Sequence, residues 1–120
     1  MTHATLRRTI LVIYGLVVAV LMIAPIRAPH LASDVPQADK IVHAALFGVM
    51  TGFIWWNLAA VGRQRVFWAV LLATLFAVMV EVAQHFVPYR SADPLDAAAG
   101  LGGALVCAVV LVRTSARRRS

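Results

Sequence analysis

Glu81, Gln84 and His85 stand at i, i+3 and i+4 in the stretch EVAQH, so one helix stripe would carry a carboxylate, an amide and an imidazole. Upstream, in DKIVHAALF, Asp39, His43 and Phe47 share a helix face and Lys40 lies beside them. Downstream, YRSADPLD supplies Arg90, Asp93 and Asp96. A carboxylate beside an imidazole can pass a proton, and Glu81 with His43 is the candidate catalytic pair. Asp39, Lys40, Gln84, Arg90 and Asp96 are candidate ligand-binding residues. The two cations suit a phosphate or carboxylate, and the amide can orient its neighbours by hydrogen bonding. Glu81, His85 and His43 would make a mixed nitrogen and oxygen donor set, but no HExxH and no cysteine pair accompanies them. No resident metal and no cofactor is therefore expected. Ser91 is near His85 and Asp93 in sequence only, which is not a nucleophilic triad.

The elements that must hold these groups are apolar. The 120 residues are 62% hydrophobic, with mean hydropathy +0.84. Soluble domains run to roughly 45–50% apolar even with glycine counted, and a chain this short cannot hide such an excess in one core. The expected class is an all-α membrane protein, a single integral domain over residues 1–120. A span needs about 20 apolar residues, and four such runs occur, over residues 9–24, 41–61, 66–87 and 95–112. Pro25 and Pro29 end the first and Pro88 the third. The linker at residues 62–65 is short enough to force spans two and three into an antiparallel hairpin. A cleaved signal peptide is disfavoured for the first run, because Pro25 directly follows Ala24. Cys107 is alone, so no internal disulfide forms.

Basic residues in short loops mark the cytoplasmic side. Arg7, Arg8, Arg63, Arg65, Arg113, Arg117, Arg118 and Arg119 fall on one side of the four-span bundle, against Arg27, Lys40 and Arg90 on the other. Both termini are thus expected in the cytoplasm. The positive charge, a net +6, reads as a topology signal and not as a nucleic-acid surface. With this direction, Asp39, Lys40 and His43 open span two at its outer end, Glu81 lies about 10 Å below Pro88 in span three, and Asp93-Pro94-Leu95-Asp96 opens span four. Ionisable groups at membrane depth face a bundle interior or a wet cavity, so three helices should meet in a polar pocket facing the extracytoplasmic side. The inner halves are nearly all apolar. Gly48 with Gly52, and Gly100 with Ala104, give small-xxx-small spacing for close helix approach. Trp55, Trp56 and Tyr89 read as interfacial anchors. Asp93 with Pro94 also reads as a helix cap, Asp96 at N3 as part of a capping box, and Asp39 as a cap of span two.

The ordered set DKIVHAALFG, EVAQHFVPYRSADPLD and GLGGAL resembles the VanZ-like family of small bacterial membrane proteins, over about residues 39–104. The matching elements are Asp39, Lys40, His43, Phe47, Glu81, Gln84, Arg90 and Asp96. The family has an asparagine one turn after that last aspartate, where this chain has Gly100. The resemblance implies a multi-pass protein of the bacterial inner (cytoplasmic) membrane. It also brings an association with lowered sensitivity to the glycopeptide teicoplanin for the member that gave the family its name. The expected partner is a membrane lipid or another cell-envelope amphiphile, such as a lipid-linked precursor, a phospholipid or a lipophilic glycopeptide. Whether a reaction follows binding stays open. The alternative is a structural or assembly protein, in which the polar cluster locks the helices and presents a surface to a membrane protein partner. A channel or transporter is disfavoured, because a pathway needs polar groups through its full depth.

Overall fold

The computed structural model describes residues 1–24, 38–88 and 92–120. Four helices make up the described fold: α1 (His3–Ile23), α2 (Ala38–Asn57), α3 (Gly62–His85) and α4 (Pro94–Arg119). α1, α3 and α4 are long and apolar enough to cross a membrane. α2 has 20 residues, about 30 Å of helix, but Asp39, Lys40 and His43 at one end and Asn57 at the other dilute its apolar run. Of the four expected spans, three therefore stand on composition.

Helix ends follow capping chemistry, not apolarity, and several expected boundaries move accordingly. The Thr2 side chain accepts a hydrogen bond from the Thr5 amide at 3.1 Å, so α1 starts at His3, ahead of the expected residue 9. α4 continues past residue 112 to Arg119, with Arg117, Arg118 and Arg119 in its last turn, where cations complement the helix dipole. The linker expected at residues 62–65 lies instead at residues 58–61. Gly62, with φ 63°, takes the left-handed backbone that the turn requires, and Arg63 and Arg65 belong to the first turns of α3. Asp39 lies within the first turn of α2 and does not precede it as a cap.

Each of three helices turns one i, i+4 row inward. On α2 the row is His43, Phe47 and Thr51. On α3 it is Ala69, Ala73, Ala77 and Glu81. On α4 it is Asp96, Gly100, Ala104 and Ala108. All of these are buried. α1 adds Val18 and Met22. The opposite faces are apolar and exposed, including Leu16, Val20, Leu75, Met79 and Val106, as suits helices that meet hydrocarbon. Between lipid-exposed helices no hydrophobic drive favours association, so small residues and hydrogen bonds must hold them. α2 and α4 make the most extensive pair. A Cβ on Gly103 would stand 1.9 Å from the Ala44 carbonyl oxygen, and one on Gly48 3.1 Å from that of Gly103, so these backbones touch only because both residues are glycine. Gly52 is looser, with Cys107 Sγ 3.8 Å from an added Cβ.

Candidate functional site

The inward rows of α2, α3 and α4 are apolar or small for most of their length and end in His43, Glu81 and Asp96 at the same end of the bundle. These three side chains are buried, and Gln84 lies one turn beyond Glu81, also buried. One donor atom from each of His43, Glu81 and Asp96 lies within 4.8 Å of the others. Phe47 sits directly beneath. Its ring stacks on His43 with centroids 6.1 Å apart, packs against Phe76 at 6.2 Å, and fills the space over Gly100, where an added Cβ would be 3.0 Å from the ring. A side chain at this position, such as the asparagine expected from the resemblance, would press on the Phe47 ring.

Lys40 bridges α2 to the start of α4. Its Nζ is 3.1 Å from Asp93, 3.4 Å from Asp96 and 3.5 Å from Asp39. Asp93 caps α4, its carboxylate accepting from the Leu95 amide at 2.9 Å, with Pro94 at the first helical position. The Leu95 amide and the Lys40 ammonium hold the Asp93 carboxyl below its usual pKa. Asp96 is spent on Lys40, and the expected capping box does not form. Glu81 accepts a short hydrogen bond from the Asp93 backbone N–H through Oε1, which ties α3 to the cap of α4. Gln84 donates to the Met22 carbonyl and ties α3 to α1, so it orients neither Glu81 nor His43. The Nδ1–H of His43 donates to the Asp39 carbonyl at 2.8 Å, while its buried Nε2 has no hydrogen-bond partner among the described residues.

The sequence-expected residues thus divide. Asp39, Lys40, His43, Glu81, Gln84 and Asp96 come together at one end, with Asp39 at the exposed rim. Arg90 and Tyr89 lie outside the described residues, as do Arg27, Pro25 and Pro29. His85 is exposed, its ring edge-on to Phe86 at 5.6 Å, and takes no part in the cluster. The proton-transfer pair of Glu81 and His43 is close but shares no hydrogen bond. Asp93, expected both as a cap and at the level of the cluster, contacts Lys40 and Glu81. The signal for this was its position three residues before Asp96, at the level where α2 begins.

Among the described residues, the Lys40 ion pairs tie the cluster together. The open space is an apolar groove of about 1060 Å³ along α2 and α4. It runs from Ile41 and Ala99, beside the cluster, to Trp56 and Leu111 at the far end. Its floor is made by Ala44, Gly48 and Gly103, the residues whose small size lets the two backbones meet.

That far end is built from arginine and tryptophan. Arg65 donates to the carbonyls of Trp55 at 2.6 Å and Trp56 at 3.3 Å, and its guanidinium lies 4.1 Å from the Trp55 ring centroid. Arg7 donates to the Trp56 carbonyl at 3.2 Å. Asn57 donates to the Arg7 carbonyl at 3.2 Å. The start of α1, the end of α2 and the start of α3 therefore meet opposite the acidic cluster.

Searches among curated proteins and among solved structures each found no match. The family model VanZ/LLP1 matches residues 5–115, which include all four helices but for their outermost residues and every polar group of the cluster. On that match, covering nearly the whole length, the chain belongs to the VanZ/LLP1 family.

Proposed function

We propose that this VanZ-family chain binds an amphiphile of the cell envelope, with the apolar tail along the α2–α4 groove and the polar head at the Lys40–Glu81–Asp96 cluster. The observation that carries this reading is the continuity of the two features. An apolar groove along about 22 Å of α2, from Ile41 to Trp56, ends at Ile41, which adjoins Lys40 in sequence, and at Ala99, one turn from the buried Asp96. In this reading α2 is the fourth span, because it lies antiparallel to its neighbours and is as long as α1 to within one residue. The arginine end, with Arg7, Arg65 and the arginines that close α4, then faces the cytoplasm. The cluster faces outward, at the level of the outer leaflet.

Lys40 changes the chemistry expected of the head. Three aspartates already occupy its ammonium, so it is not a free anchor for phosphate. A head bearing an ammonium or hydroxyl groups meets the carboxylates directly, and a phosphate head enters with a counter-cation. Glu81 and His43 are close enough to share a proton with a bound head, which is where a modifying step would be sited.

Gly102 offers a direct test. It lines the groove, and a Cβ there meets nothing within 4 Å, so Gly102→Leu fills the channel without a clash. Purified protein in nanodiscs would be crosslinked to a photoactivatable phospholipid and to a photoactivatable polyprenyl phosphate. Wild type should be labelled at Ala45, Val49 or Val106, and Gly102→Leu should lose most of that labelling at unchanged helicity. Equal labelling of both proteins would overturn the reading.

A structural role is the second reading. It is favoured by Lys40 to Asp96, Gln84 to Met22, and Tyr14 Oη to the Leu46 carbonyl at 2.8 Å, each a bond between two helices. It expects Glu81→Gln to leave the envelope phenotype of cells unchanged at normal protein abundance, whereas amphiphile binding expects the phenotype to be lost.

A further inference from the structure

Four carboxylates, Asp39, Glu81, Asp93 and Asp96, and one lysine meet at the polar end of the bundle. Lys40 is shared among the three aspartates. Glu81 has a backbone amide but no cationic side chain bonded to it among the described residues. Glu81 and Asp96 are both buried, and buried charge without a counter-ion is costly. Among the described residues, the cluster is short of positive charge at the point where the three inward rows end.

His43 stands at that point with a defined tautomer. A carbonyl oxygen only accepts, so the bond to Asp39 places the proton on Nδ1 and leaves the lone pair on Nε2. That nitrogen is buried and has no hydrogen-bond partner among the described residues. An imidazole fixed through one nitrogen by a backbone carbonyl, with the other presented bare, is the arrangement in which histidine binds metals. Among the described residues nothing hydrogen-bonds the second oxygen of Glu81 or of Asp96, since Lys40 takes Oδ1 of Asp96 and the Asp93 amide takes Oε1 of Glu81.

We propose that His43, Glu81 and Asp96 bind one divalent cation of borderline hardness, Zn²⁺ or Mn²⁺. Each of the three helices gives one ligand. One imidazole nitrogen and two carboxylate oxygens without thiolate suit these ions better than Cu⁺, and the nitrogen disfavours Ca²⁺ and Mg²⁺. The donors lie within 4.8 Å of one another, and bonds of about 2.0–2.2 Å place donors roughly 3.4 Å apart, so loading closes the site by up to roughly 1.4 Å. Three protein ligands leave a coordination position for water or for an oxygen of an anionic ligand. The sequence pointed to His85 as the third donor. The structure replaces it with Asp96, which lies in the first turn of α4 after the Asp93 cap and Pro94.

The test needs no lipid, so it succeeds or fails separately from amphiphile binding. Protein purified in mild detergent and stripped with EDTA would be titrated with Mn²⁺ alone and with Zn²⁺ alone, with bound metal counted by mass spectrometry and Mn²⁺ followed by electron spin echo. Wild type should bind one ion per chain, melt at a higher temperature when loaded, and show nitrogen coupling to Mn²⁺. His43→Ala and Asp96→Asn should each weaken binding at least tenfold, and His85→Ala should leave it unchanged. If the first two variants fail to fold, the wild-type nitrogen coupling and melting shift decide alone. Absence of a saturable ion, an ion without nitrogen coupling, or folded His43→Ala and Asp96→Asn proteins that bind as wild type would each overturn the proposal.

Discussion

The two ends of the bundle hold their helices together by different means. At the arginine end, Arg7 and Arg65 reach the carbonyls that close α2 and lie against Trp56 and Trp55. These contacts are at the rim, and the cations satisfy groups that a helix end always leaves unpaired. At the acidic end, Glu81, Gln84, His43 and Asp96 are buried, and one His43 nitrogen has no hydrogen-bond partner among the described residues. The first end is explained by helix termini and interfacial anchoring alone. The second holds more charge than the packing of helices requires, and that excess separates a candidate site from a structural contact.

The seam between α2 and α4 runs through both ends, so the largest effect should come from breaking it. Gly103→Ala puts a methyl group 1.9 Å from the Ala44 carbonyl oxygen and should cost about 3 kcal/mol, the upper part of the overpacking range. Denaturant titration in detergent would measure this, with disulfide trapping at both ends reporting that they separate together. Gly100→Asn introduces the polar group of the family pattern against Phe47 and should cost about 2 kcal/mol. Adding Phe47→Leu should recover about half of that, because the ring is the obstacle, and a double-mutant cycle on unfolding free energy would show the coupling.

Smaller changes should act on one end only. Gln84→Leu removes the tie to Met22 and should cost about 1 kcal/mol, near the values for hydrogen bonds between membrane helices. Crosslinks between α1 and α3 at the acidic end would weaken while those between Arg7 and Trp56 persist. Arg65→Gln should cost about 0.5–1 kcal/mol through the lost carbonyl and ring contacts, with no change at Lys40–Asp96. Arg7→Gln should cost less still, since its guanidinium is farther from its ring, at 5.7 Å. Equal loss at both ends from either arginine change would show that the ends are not independent.

Much of this was legible in the sequence because helical spacing is a statement about faces. Four helices, the convergence of Asp39, Lys40, His43, Glu81 and Asp96, and the close approach at Gly48 could be read from period and residue size. Partners across helices could not. Spacing puts Gln84 on the same stripe as Glu81, but whether its amide turns to the cluster or to the Met22 carbonyl depends on where α1 ends. His85 looked equivalent to Glu81 at i+4, yet each i+4 step turns about 40° from the last, and His85 is exposed. Turn placement was also hidden, because Arg63 and Arg65 look like loop residues until Gly62 is seen to complete the reversal. Lys40 appeared available to an anion because spacing put the three aspartates at its level without showing that all of them contact its ammonium.

The straight rows carry a consequence for how the chain tolerates length changes. A single residue inserted in α3 between Ala77 and Glu81 would turn everything beyond it by about 100° and swing the carboxylate toward hydrocarbon. The same residue added at 58–61 would enlarge a connection without altering the phase of either neighbour. Insertions a few positions apart in this chain should therefore differ sharply in outcome, and that contrast follows from angular position alone.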